Sequence, residues 1–285
     1  PYRGAAISPR KQMRLDAERV KDIVDDIRDL SPDPSNYYTD VEKGKADSLR
    51  QLREFQARMD AAITPDIIRI ANDPDNNYAV RAARTADSLA TTRMNAISNT
   101  NLDAMITNSN AGGMETRRYY TFLFTLESIK QLQRIYPDRQ SLRDARAVAD
   151  QAYAKLGPID QFEGDRQAAY AAKVAATRLF PARRSDPVLE RQFSAAFKRS
   201  PFTQRDFAGS TVLKVNLSGA GWSVTRNPVT GVIVSRDQQA NLAVRTSDGK
   251  CYSYLVLFEQ KHQGSGYGGI YMRSGNEQEM LCENI

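Results

Sequence analysis

Apolar residues recur every three or four positions through the first two-thirds of the chain, then every second position in the last third. The first period lines one face of a helix and the second one face of a strand. The change predicts an α+β chain: an N-terminal α-helical bundle or short helical array over 1–182, then a small C-terminal domain over 185–285. The latter is one helix on an antiparallel sheet.

Met13, Ala17, Val20, Val24 and Ile27 mark the first helix, opened by Ser8-Pro9 as N-cap and first-turn proline and stopped by Pro32 and Pro34. A second is expected over 39–63, behind Leu49, Leu52, Phe55, Met59 and Ala62. Thr64-Pro65 opens a short third. After a turn at 72–77 comes an Ala-rich helix over 78–97. Residues 99–113, polar with paired glycines, predict the longest loop of this region. Residues 114–136, apolar nearly all round at first, predict the central buried helix. Helices over 142–156 and about 163–179 follow.

Residues 180–187, proline-flanked around Arg183-Arg184, mark the domain junction. One helix over 188–198, with Leu189, Phe193, Ala196 and Phe197 inward, precedes the change of period. Strands are expected over 211–217, 221–226, 232–236, 242–245 and 251–260, with short ones near Tyr271 and over 280–283. Five or six of these are expected to form the antiparallel sheet. Asp248-Gly249 is a hairpin signal.

Cys251 and Cys282, the two cysteines, both fall in or beside strands of the C-terminal domain. Buried free thiols are one reading and a disulfide the other. Their joint placement favours the disulfide, which stabilises by about 3–4 kcal/mol in the chain-entropy model and belongs to an oxidising compartment. The chain begins at Pro1 without a hydrophobic leader, so either a signal or lipoprotein leader has been removed or the sequence was trimmed. The expected location is periplasmic or extracellular. No apolar run is long enough for a transmembrane helix.

Composition, 41% hydrophobic and 26% charged, excludes a disordered chain. The net charge of +6 lies mostly before residue 201 and is spread thinly. It allows weak binding to an anionic surface but lacks the basic stripe of a sequence-specific nucleic-acid binder.

Catalytic and metal chemistry find little support. His262, the one histidine, precedes the glycine-rich loop 263–269 and reads as a solvated hairpin residue. Asp73, Asp75, Asn76 and Asn77 lack the glycine and glutamate of an EF-hand loop and suit a turn with an N-cap. Asp25 and Asp26 are helix neighbours that point in different directions. No metal or cofactor is expected. Trp222, Tyr252, Tyr254, Tyr267 and Tyr271 concentrate aromatic surface in the C-terminal domain and are the expected binding residues. The expected function is an exported, non-enzymatic binding or assembly protein of a bacterial envelope, its partner a protein or envelope component. The alternative is a hydrolase acting on a cell-wall or glycan substrate through carboxylate, Tyr or Lys groups.

Overall fold

A computed structural model describes residues 8–32, 40–108 and 112–285, with ten α-helices and five strands among them. It divides into two units, Pro1–Ala169 and Tyr170–Ile285.

The helical unit holds α1 (Pro9–Arg28), α2 (Val41–Ala62), α3 (Pro65–Ala71), α4 (Asn77–Ser98), α5 (Leu102–Thr107), α6 (Gly112–Ile135), α7 (Gln140–Leu156) and the first part of α8 (Ile159–Ala176). Ser8 and Thr64 accept from backbone N–H groups three residues on, each followed by proline at the first helical position. α6 lies at the centre, with Tyr119, Tyr120, Ile129, Leu132 and Ile135 at 1% exposure or less. Tyr119 stacks on Phe162 at 4.6 Å, and its hydroxyl donates to Gly157 O at 2.8 Å. α4 packs on α7, and both helices bury alanines, Ala79, Ala82, Ala83, Ala86 and Ala90 in α4 and Ala145, Ala149 and Ala152 in α7. Side chains this small let two helices approach closely, and any enlargement meets a close-packed neighbour.

The expected loop at 99–113 is corrected in part: it contains α5, capped by Asn101 accepting from Ala104 N and anchored by the buried Met105. Residues 109–111 lie outside the described set.

The sheet unit carries α9 (Pro187–Arg199), α10 (Pro201–Asp206), β1 (Thr211–Asn216), β2 (Ser223–Arg226), β3 (Ile233–Arg245), β4 (Cys251–Lys261) and β5 (Tyr271–Met280). All neighbours are antiparallel, in the order β1-β3-β4-β5. β2 pairs with the first half of β3 and β1 with its second half. The strands expected at 232–236 and 242–245 are therefore one long strand. Those expected near Tyr271 and at 280–283 become β5, and Cys282–Asn284 form a 3-10 turn.

Two helices cover the sheet rather than one. Leu189, Phe193, Ala196 and Phe197 of α9 pack on Leu242, Val244, Tyr254, Val256 and Phe258. Phe193 stacks on Phe258 at 4.1 Å. α10, opened by Ser200-Pro201, sets Phe202 and the following Phe207 against Tyr254.

Cys251 and Cys282 are joined. On the sheet's other face, Asn241 is fully buried. Its Oδ1 accepts from Phe180 N at 2.8 Å and from Ser253 Oγ at 3.2 Å. Asn216 Nδ2 donates to Phe180 O, Arg183 N to Leu217 O, and Asn284 Nδ2 to Thr177 O. These bonds tie 177–183 into the sheet unit, so the division between units falls inside α8 and ahead of the proline-flanked stretch.

Candidate partner-binding surface

β4 alternates cleanly: Tyr252, Tyr254, Val256, Phe258 and Gln260 share the face covered by α9 and α10, because successive strand residues point to opposite sides. Their β3 partners in register are Val244, Leu242, Ala240, Gln238 and Arg236. Moving along that face, the core gives way at Gln260 and Arg236 to a cluster of a different kind.

There the Arg236 guanidinium is set between two rings, its central carbon 4.5 Å from the Trp222 centroid and 4.0 Å from that of Tyr267. Trp222 in turn meets Phe193 edge-on at 5.9 Å, which anchors the cluster to α9. Arg236 Nε donates to Gln260 Oε1 at 2.8 Å, and Gln260 Nε2 donates to Gly268 O at 2.7 Å. Gln260 is thus held at both ends and fixes the arginine. His262 bridges Tyr267, with ring centroids 5.3 Å apart. Loop 263–269 is ordered by Gln263 N donating to Gly266 O and Gly268 N to Lys261 O. Gly264 takes φ +80°, a conformation glycine adopts without strain.

Beside the cluster runs the β2–β3 hairpin. Val224 is 46% exposed, Val234 48%, Val232 60% and Val229 90%. Its tip is not loose: Asn227 Oδ1 accepts from Val229 N and Thr230 N, and Asn227 N donates to Val232 O at 2.8 Å. The fold holds four valines in water on a fixed scaffold.

Of the five expected binding residues, the structure brings together Trp222 and Tyr267. Tyr254 is corrected to a core residue, 1% exposed and ringed by Phe197, Phe202 and Phe207, because α10 covers it. Tyr252 lies at the far end of the same face, edge-on to Phe207. Tyr271 sits on the opposite face, in register with Glu259. Burial and a hydrogen bond to Glu259 raise its phenol above the ordinary value. Arg236, Gln260 and the valines were not singled out by sequence. Arg236 and Val234 share a strand face with the aromatics, but the contact with Tyr267 is between distant parts of the chain.

Elsewhere, Asp25, Asp73 and Asn76 already have partners. A cleft of about 470 Å³ between α1 and α4 is lined by Glu18 and Asp25. Glu18 pairs with Arg14 at 2.9 Å, and Asp25 with both Lys21 and Arg28. Asp26 lines a separate hollow with Glu54 and Arg58. Asn76 caps α4 and Asp73 accepts from Asp75 N. Among the described residues no group of three His, Cys, Asp or Glu could hold a metal ion, and no helix is long and apolar enough to cross a membrane.

No family model, curated protein or solved structure matches this chain. Its function has to be read from the surface itself.

Proposed function

We propose that this is an exported binding or assembly protein whose partner contact is the Trp222–Arg236–Tyr267 end of the sheet unit, extended by the valines of the β2–β3 hairpin. The observation that carries the reading is composition joined to rigidity. Trp, Tyr and Arg dominate the binding energy of protein interfaces, and here they are locked into one stack. Prearranged side chains lose little freedom on binding. The half- to fully exposed valines beside them supply apolar area that the chain does not bury. The disulfide supports export, since such bonds persist in oxidising compartments.

The test is site-specific photocrosslinking in the cells that make the protein, with the photoreactive residue at Val229 or Val232 and, as control, at Lys198. One discrete adduct at both hairpin positions and none at Lys198 is expected. Equal labelling at all three would sink the assignment.

A further inference from the structure

Arg236 offers donors that no described residue accepts. Only its Nε is used, by Gln260. The ion pairs of the sheet unit among the described residues, Arg205–Asp206, Lys250–Glu279 and Arg273–Glu259, leave Arg236 out. Its neighbourhood is short of acceptors more widely. Gln238, next on the same face of β3, is 2% exposed; its Oε1 accepts from Arg184 Nη2 at 2.8 Å, yet Gln238 Nε2 and Arg184 Nε are buried without a partner. Arg236 is half-buried and none of its nitrogens is among the buried atoms left without a partner, so its Nη groups face solvent and are open to an oxygen ligand.

We infer that this surface recognises a carboxylate side chain of an acidic peptide segment, taken edge-on by the Nη1 and Nη2 groups of Arg236 between the Trp222 and Tyr267 rings. The inference rests on the partner-surface reading above and gives it a chemistry. With a ring against each side of the guanidinium, the open approach is its edge, where two parallel N–H donors match the two oxygens of a carboxylate. The exposed valines alongside suit apolar residues flanking the acid. Charge complementarity selects an acidic partner over a basic one.

Trp222 is the single tryptophan, so its fluorescence reports on the site directly. The probe is an end-blocked hexaglutamate peptide at fixed ionic strength, compared with hexaglutamine, sodium sulfate and an oligogalacturonate. A saturable change with hexaglutamate and none with hexaglutamine is expected. Arg236→Lys keeps the charge but loses the fork, and is expected to weaken binding about tenfold. Gln260→Leu, which frees the arginine, weakens it with the fold intact by circular dichroism. Silence toward hexaglutamate overturns the inference, as does equal response to sulfate or full affinity in Arg236→Lys. Binding of oligogalacturonate with hexaglutamate silent replaces the peptide by an acidic glycan. A hairpin crosslink with hexaglutamate silent leaves the partner surface standing and removes only its carboxylate chemistry.

Discussion

Gly275 sits in β5 beside Tyr254, and replacing it with alanine sets two effects against each other. Glycine within a strand is ordinarily worse than alanine by roughly 0.5–1 kcal/mol, because it loses more backbone freedom on folding. Its φ is not positive, so that gain would apply if there were room. There is none. A Cβ at 275 falls inside the van der Waals envelope of Tyr254 Cε1, with Tyr254 Cδ1 and Met272 Cε each at 3.1 Å. The ring cannot swing away, for Phe197, Phe202 and Phe207 hold it at centroid distances of 5.3, 5.7 and 5.6 Å. Overpacking a filled core costs about 1–3 kcal/mol, so the clash outweighs the backbone gain and Gly275→Ala should destabilise by about 1–2 kcal/mol. Urea unfolding followed by Trp222 fluorescence measures this. In a Tyr254→Leu background the same substitution should become neutral or favourable, giving a coupling comparable to the clash. A Gly275→Ala protein as stable as the parent would refute the reasoning.

Replacing both Cys251 and Cys282 by serine should lower the stability of the sheet unit by about 3–4 kcal/mol, since the bond closes a loop of sequence separation 31; the same fluorescence melt decides, and a loss well under 1 kcal/mol would contradict the loop-closure account. Burial raises the phenols of Tyr119, Tyr136 and Tyr254 above their ordinary 10.0. The folded state therefore holds these protons more tightly than the unfolded one, so their contribution is whole below that pH and falls as pH rises above it. The last part of the tyrosinate absorbance, that of these buried phenols, should then appear together with loss of circular dichroism, whereas ionisation of all thirteen tyrosines near 10 with the fold intact would be the wrong outcome. Asn241→Ala orphans the Phe180 amide and Ser253 hydroxyl and should cost about 1–3 kcal/mol, with faster hydrogen exchange at Phe180 as its specific mark.

Helix starts were legible at Ser8-Pro9 and Thr64-Pro65, where a capping side chain precedes proline. Asp186-Pro187 and Ser200-Pro201 carry the same mark. α10 was missed although its signal was present, because six residues are too short for a helical period to show. α5 was missed similarly: its Asn101 cap and Leu102–Met105 spacing were hidden in a polar stretch. β3 was split for a different reason. Its middle reads Asp-Gln-Gln-Ala-Asn, yet Gln238 and Asn241 are buried, with Arg184, Ser253 and Phe180 N–H as partners from elsewhere in the chain. Polarity predicts exposure only when no such partner is at hand. The alternation of β4 placed Tyr252 and Tyr254 on one face, but only the packing of α10 distinguishes the half-buried ring from the buried one. The Trp222–Arg236–Tyr267 stack depends on the register of β3 with β2 and β4, which no local spacing encodes.

The β3–β4 ladder runs without a break from Ser235–Lys261, beside the aromatic cluster, to Arg245–Cys251, where the disulfide begins. This gives the unit a mechanical grain. A partner pulling on the Trp222 end along the strands loads that ladder in shear, so its cross-strand bonds must give way together. A pull across the sheet at β2 would instead peel four residues one pair at a time. The same contact should therefore hold far longer under tension along the strands than across them.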